Sequence, residues 1–369
     1  MRIIFIHRTI VDYTVETPYR HAVGGTEAGL SYLSVELAKL GHSVVLLANT
    51  SQPGRYLGVE CLNHKTALTK DFLNGADAVV VANEAFGRSL REMGVTKPLA
   101  LWTHHSDDQP SIEALEFTRE RKAWTGFAFV SQWQLDQYVQ VYWMPRERAR
   151  VMRNAIAPAF AGIPPAEPWF QRGQAPILVY TSAPYRGLDV LLAAFPVIRA
   201  RVPDVRLRVY SGLSTTRGGP DDNQYADLHA LCMATDGVDY VGPVSQPALA
   251  TALAEAAALA YPSTYPETSC IAALEAMAMG ASVLTTNLGA LPETLAGFGR
   301  MVEPSEDSAV LAPRFAAMAI EALNDMRRNP EEAAQRRNAQ MAFVHQNYAW
   351  PARALEWQSW LFDLILRQS

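Results

Sequence analysis

A chain of 369 residues, 49% hydrophobic and 19% charged, has an ordinary globular composition and is long enough for two domains. Its net charge of -5 argues against a broad nucleic-acid footprint, and no run reaches the roughly 18 apolar residues of a membrane-spanning helix. Cys61, Cys232 and Cys270 stand far apart in no metal-ligand spacing, which fits a reducing compartment and argues against a disulfide frame.

The N-terminal stretch MRIIFIHRT is too short in apolar residues for a signal peptide and reads as a strand, so a cytoplasmic protein is expected. RIIFIH, HSVVLLAN, DAVVVAN, PLALW and GFAFVS are compact apolar runs bounded by turn residues. Between them lie segments of helical pattern, such as TEAGLSYLSVELAKLG with its closing glycine. This alternation predicts a parallel sheet covered on both faces. It breaks over residues 154–176, NAIAPAFAGIPPAEPWFQRGQAP, where five prolines and no periodicity suggest an interdomain linker.

The alternation then resumes with ILVYTS, a helix from Leu188, VRLRVYSG, a helix over 223–235, VDYVG, a helix from Gln246, and ALAYPS. A helix in YPETSCIAALEAMAMG, residues 265–280, precedes SVLTT and GRMVEP. The expected fold class is α/β: two doubly wound, Rossmann-like domains, 1–160 and 161–346, facing across a cleft at the carboxyl ends of their strands. The tail WPARALEWQSWLFDLILR predicts an amphipathic helix with Trp350, Trp357, Trp360, Leu361 and Leu364 on its apolar stripe. Periodicity alone leaves open whether it caps the second domain or returns to the first.

Candidate chemistry sits in three places. After the first strand, the loop 8–23 leads to Gly24-Gly25 and a helix beginning near Thr26, where backbone amides approach an anion or Thr26 and Glu27 merely cap the helix. The dinucleotide fingerprint G-x-G-x-x-G is absent, which argues against a nicotinamide enzyme. In YPETSC, Pro266 and Glu267 are expected at a helix start, leaving the amides of Thr268, Ser269 and Cys270 as free donors. Eight helical residues rise about 12 Å, so Glu267 and Glu275 would grip the hexose and the ribose of a nucleotide sugar. The alternative is a Glu267 that only favours the helix dipole and a solvated Glu275. In LWTHHSDDQP, His104 and His105 follow a strand end, and Asp107 and Asp108 read as acceptor contacts or solvated loop residues. Arg146, Arg148, Arg150 and Arg153, near Trp133 and Trp143, read as a solvated surface or as a peripheral contact with an anionic membrane.

The stretch ETSCIAALEAMAMGASVLTTNLGALPETL resembles the family-4 retaining glycosyltransferases of the GT-B fold, the glycosyl transferases group 1, whose hallmark is a glutamate pair in E-x-F-G-x-x-x-x-E-A-M-A-x-G-x-P-V. Further matching segments are GGTEAGLSYLSVELAKLGHSVVLL, FVSQWQLDQY, VMRNAIAPAF, YRGLDVLLAAFPVIRARVPDVRLRVYSG and YAWPARALEWQSWL. The resemblance implies retaining transfer of a hexose from a nucleotide-sugar donor to an acceptor hydroxyl. That acceptor would be a glycan, glycolipid or small molecule, in polysaccharide, lipopolysaccharide or glycolipid assembly, at the cytoplasmic face of a membrane. No nucleic acid, cofactor or metal is implied. Glu267 would hold sugar hydroxyls, Glu275 the ribose, and Gly24 and Gly25 the diphosphate. Arg186, before Gly187 in YRG, would neutralise the leaving group, with His104 near the donor sugar.

The last helix, within 347–369, would cross back to the first domain. Acceptor contacts are expected from Tyr13, Arg20 and His105. Two departures stand out: Thr181 replaces an arginine that many members carry, so that either Arg186 and the amides suffice or Arg8, Arg20 or Arg217 stands in, and TSC replaces the usual glycine-aromatic-glycine. The spacing of Glu267 and Glu275 does not suit the paired carboxylates of a retaining hydrolase. Same-face substitution is expected instead, and an epimerase or a silent nucleotide-sugar-binding protein are the alternatives.

Overall fold

The computed structural model describes residues 1–164, 166–212 and 225–368. The chain forms two compact units: Met1–Ala155 together with the residues from Ala349 onward, and Ile156–Tyr348.

In the first unit the strands are β1 (Arg2–Ile6), β2 (Ser43–Ala48), β3 (Gly54–Tyr56), β4 (Val59–Asn63), β5 (Ala78–Ala82), β6 (Leu99–Thr103), β7 (Gly126–Phe129) and β8 (Ala149–Val151). They order as β3-β4-β2-β1-β5-β6-β7-β8, with every pairing parallel except the short β3–β4 hairpin. The continuous apolar runs are explained by burial: β5 and β6 have no exposed residue because helices cover both faces. From β1 the chain first builds outward through β2, then returns to lay β5 on the other side of β1. That reversal is the topological switch point, where the strand ends diverge and leave a crevice.

The C-terminal helix Trp350–Gln368 belongs to this first unit. Trp350, Trp357, Trp360, Leu361 and Leu364 are all buried, as their spacing predicts. The Trp357 ring lies 6.3 Å from that of Phe5 on β1 and 4.8 Å from that of Trp102 on β6. Gly126 on β7 makes room for the helix, since a Cβ there would lie 2.9 Å from both Trp360 and Leu364.

The second unit repeats the plan with β9 (Ile177–Tyr180), β10 (Arg206–Val209), β11 (Val238–Tyr240), β12 (Ala258–Tyr261), β13 (Ser282–Thr286) and β14 (Arg300–Val302). All pairings are parallel in the order β11-β10-β9-β12-β13-β14, so its switch point falls between β9 and β12. The boundary between the units falls within the proline-rich stretch 154–176, between Ala155 and Ile156, but most of the stretch expected as an interdomain linker is built into the second unit. Ile156, Phe160 and Trp169 are buried, and Pro158–Ala161 forms a helical turn within the second unit. Isolated apolar anchors between prolines have no period, which is why the pattern missed them.

Trp357→Ala should remove a fully buried indole and destabilise the first unit by about 3–5 kcal/mol. Hydrogen exchange is then expected to speed up in β1, β6 and β7 while β9 to β14 keep their protection. Unchanged protection in β1, β6 and β7 would contradict this role for the tail helix.

Candidate active site

The carboxyl edge of the second sheet collects most of the predicted donor-side residues. β9 ends at Tyr180, Thr181 follows, and a single 3-10 turn, Pro184–Arg186, carries the chain to Gly187. Gly187 has φ +105°, and a Cβ there would stand 2.1 Å from the carbonyl oxygen of Pro262. Only glycine allows the loop after β9 to pass so close to the loop after β12. This crossing brings Arg186 Nη1 within 2.5 Å of Glu267 Oε1. The guanidinium lies over the rings of Tyr265 at 4.7 Å and Tyr185 at 5.6 Å. Tyr261, the last residue of β12, donates its hydroxyl to the same Oε1.

Glu267 does not start a helix. The helix is Ile271–Ala278 with Cys270 at its N-cap, and Glu267 lies in the preceding loop. The amides that a helix start leaves without intrahelical partners are therefore those from Ile271 onward rather than those of Thr268, Ser269 and Cys270. The rise per residue of one continuous helix consequently does not set the separation of Glu267 and Glu275. Tertiary contact overrides the local signal: the carbonyl of Glu267 accepts the amide of Ala290 at 2.7 Å. A Cβ on Gly289, at φ +62°, would come within 2.6 Å of the Glu267 backbone. The glycine loop after β13 thus pins the backbone of Glu267 from behind.

Glu275 is a helical residue but not a solvated one, being 4% exposed. Burial pushes its carboxyl up to about 8, with the backbone amide of Ala157 working against that rise. Burial works against the charge of Arg186, and Glu267, with Tyr261 and Tyr185, outweighs it, so the guanidinium sits above its ordinary value. Tyr261 is held well above the ordinary phenol range by burial and then by Glu267. Cys270 is raised in the same way, which keeps the thiol protonated and unreactive. The Oγ1 of Thr181 is buried with no hydrogen-bond partner among the described residues. Ser269 lies in the same loop as Glu267 and is partly buried.

The first unit gathers its own edge residues at the β1/β5 switch point. Gly24 is the N-cap of the Gly25–Lys39 helix and no side chain caps it. Thr26 does not cap the helix but accepts a hydrogen bond from Asn83 Nδ2 at 2.9 Å. Asn83 Oδ1 in turn accepts the amide of His104 at 2.7 Å. The imidazole of His104 bonds Asn154 through Nε2 at 3.2 Å and packs 4.6 Å from the Trp102 ring. Burial, with His105 next, lowers its pKa to about 3, so it is neutral at physiological pH.

The acceptor-side expectations fare unevenly. Tyr13 is 2% exposed and its hydroxyl is engaged with His7 Nδ1 at 2.9 Å, so it is a core residue and not a surface contact. His105 bonds Ser111 through Nδ1 at 2.8 Å, whereas Arg20 is exposed and paired with Glu16. Among the stand-in cations, Arg8 is paired with Glu84 at 3.0 Å, and Arg217 lies outside the described residues.

Sequence reasoning missed Tyr261, Tyr265, Asn83 and Asn154. The only signal for Tyr261 was a polar-tipped residue closing a fully buried strand in ALAYPS. A cavity of about 380 Å³ lies elsewhere, at the amino ends of β12, β13 and β14, lined by Trp169, Ala257, Ser282, Arg300 and Arg337. Since the strands run parallel, this is the edge opposite Glu267, and we assign it no part in the chemistry.

Because the folded-state pKa of Glu275 is raised, the penalty for ionising it is absent at acid pH and greatest above about 8, with stability falling by about 1.4 kcal/mol per pH unit between the ordinary carboxylate range and that value. Glu275→Gln should remove this component. Urea unfolding at pH 5, 6.5 and 8 is expected to show the variant gaining on wild type as pH rises; a constant difference would contradict the buried acid.

Residues 175–325 match the family model described as glycosyl transferases group 1. No curated protein matches the chain in sequence. Among solved structures, the chain is similar to a sucrose-phosphate synthase from Thermosynechococcus elongatus, with a TM-score of 0.73, 18% identity and 100% of both chains covered. It is also similar to a glycosyltransferase from Rickettsia africae, with a TM-score of 0.71, 16% identity and 99% of both chains covered. A third likeness is to Anabaena HepE, solved in complex with UDP-glucose, with a TM-score of 0.70, 14% identity, and 98% of this chain and 100% of that one covered. The segment that carries Arg186, Glu267 and Glu275 thus matches the glycosyl transferases group 1, and over its length the chain has the GT-B fold.

Proposed function

We propose that the protein is a retaining, metal-independent glycosyltransferase that moves a hexose from a nucleotide-sugar donor to an acceptor hydroxyl. The observation that supports this most is the Arg186–Glu267 pair at the β9/β12 switch point, inside the segment that matches the family. Arg186 offers a fixed cation where a diphosphate leaving group develops charge, and the amides at the start of the Ile271–Ala278 helix add donors. Glu267 holds sugar hydroxyls from a loop whose Thr268, Ser269 and Cys270 form the wall beside the sugar, and Glu275 holds the ribose from the helix that follows. Thr181 and Gly187 belong to the neighbouring loop on the donor side.

Glu267 is already engaged by Arg186 and Tyr261, which suits a holding group better than a nucleophile. In the proposed step the bond from the anomeric carbon to the phosphate oxygen breaks and the bond to the acceptor oxygen forms on the same face. The acceptor's proton passes to the leaving phosphate. On the first unit, Gly24 and Gly25 present a helix N-terminus suited to an anion, and neutral His104 a hydrogen-bonding group suited to a hydroxyl. Arg20 and His105 remain the candidates for acceptor contacts. The proposed donor class starts with UDP-sugars, because the similar Anabaena protein was solved with UDP-glucose. Assembly of polysaccharide, lipopolysaccharide or glycolipid is proposed on the family resemblance.

Peripheral membrane contact is part of the proposal. Among the described residues no helix is long and apolar enough to cross a membrane. Trp143 is 77% exposed, and Arg146, Arg150 and Arg153 beside it in sequence are exposed as well.

With a radiolabelled UDP-hexose and a panel of glycan and lipid acceptors, Arg186→Ala should lower kcat by about 100- to 1,000-fold, and EDTA should leave the wild-type rate unchanged. Release of a free epimer, or binding without turnover, would replace the transferase reading with an epimerase or a silent binding protein. In co-sedimentation, vesicles containing phosphatidylserine should retain the wild type and lose Trp143→Ala by about tenfold; equal retention on neutral vesicles would remove the membrane from the proposal.

A further inference from the structure

The carboxylate of Glu267 is used unevenly. Oε1 accepts both Arg186 Nη1 and the Tyr261 hydroxyl, whereas Oε2 has no hydrogen bond among the described residues. Oε2 is not one of the sealed, partnerless polar atoms of the interior, so it accounts for part of the 7% exposure the side chain retains. One oxygen is anchored and the other is presented.

Tyr261 is well placed to be the anchor. It is 1% exposed, and as the last residue of β12 it pairs in register with Thr285 of β13. Its ring packs 5.9 Å from that of Tyr180 on β9, so strands on both sides of β12 restrain it. The hydroxyl accepts from Ser182 Oγ at 3.5 Å while donating to Glu267, which gives its proton a single direction. Burial and the neighbouring carboxylate keep the phenol protonated. Arg186 alone would hold Glu267 by charge without fixing the rotation of the carboxylate. A second donor on the same oxygen, coming from the sheet rather than from a loop, fixes it.

We infer that Tyr261 is a positioning residue that orients Glu267, presenting Oε2 to a hydroxyl of the donor's sugar. This rests on the nucleotide-sugar reading above. A tyrosine that only filled the core would affect every ligand of the unit alike. A tyrosine that aims Glu267 affects only ligands that carry a sugar.

The test is calorimetric binding of UDP and UDP-glucose, or of the GDP or ADP pair if the wild type prefers it, to full-length wild type, Tyr261→Phe, Glu267→Gln and the double variant. Tyr261→Phe should weaken the nucleotide sugar about tenfold, as loss of a hydrogen bond to a charged group does, and leave the free nucleotide within about twofold. In the Glu267→Gln background the tyrosine substitution should add no further loss. Equal weakening of nucleotide and nucleotide sugar, or additive losses in the double variant, would overturn the positioning role while leaving the donor site in place. A wild type that binds no member of any pair would overturn the donor reading and the inference with it. Should Tyr261→Phe unfold, Ser182→Ala, which loosens the same hydroxyl from its other side, must show the same selectivity for the sugar, and its absence overturns the role as well.

Discussion

A charge pair with a buried carboxylate and a partly buried guanidinium, at the end of a parallel sheet, is the constraint around which the second unit is arranged. Burying Arg186 or Glu267 alone would be strongly unfavourable, and a buried pair is tolerated only when its geometry is good and its remaining hydrogen bonds are met. The surroundings of the pair meet that demand piece by piece. Gly187 allows the arginine's loop to pass against the carbonyl of Pro262, and Gly289 lets the following loop press against the backbone of Glu267. Tyr185 and Tyr265 give the guanidinium two aromatic faces, and Tyr261 shares the oxygen it binds. Such a pair contributes little net stability, but it sets a cation and a carboxylate in one place before any ligand arrives.

The same topology explains why each unit concentrates polar residues at one edge. In a parallel sheet with its faces covered, the middles of the central strands are apolar, so polar side chains gather at their ends. Where the strand order reverses, the loops at the carboxyl ends part and leave room. In the second unit this happens between β9 and β12, and Arg186 and Glu267 come from the loops that follow those two strands. In the first it happens between β1 and β5, and His7 and Asn83 follow those strands, with His104 just beyond β6. Burial keeps His7 and His104 neutral, so these two residues of the first unit's edge offer hydrogen bonds rather than positive charge.

Several expectations were legible because they depend on local pattern. Apolar runs gave the central strands but not β3, β4 or β8, which are short or carry charged residues, and the tryptophan stripe of the tail gave a helix whose buried positions are those predicted. Others were misread because burial overrode that pattern. Glu267 looked like a helix start because Pro-Glu is a common first turn, yet Ala290 and Gly289 hold it in a loop. Tyr13 looked like a binding residue because tyrosines on a long loop usually face outward, yet its hydroxyl closes on His7. The prolines of residues 154–176 looked like a linker because nothing in their spacing reveals that Phe160 and Trp169 are buried.

By itself the sequence determined the class of fold and the existence of two α/β halves, and it marked Arg186, Glu267 and Glu275 as candidates, because periodicity and motif are properties of neighbouring residues. Only the tertiary structure decided which oxygen of Glu267 is anchored, that Glu275 is a buried acid, and that the tail helix packs on β1, β6 and β7. Those outcomes depend on contacts between residues far apart in the chain, such as Arg186 with Glu267 and Trp357 with Phe5. Burial and hydrogen-bond partners exist only once such contacts have formed, and they set both the charge of a carboxyl group and the direction it faces.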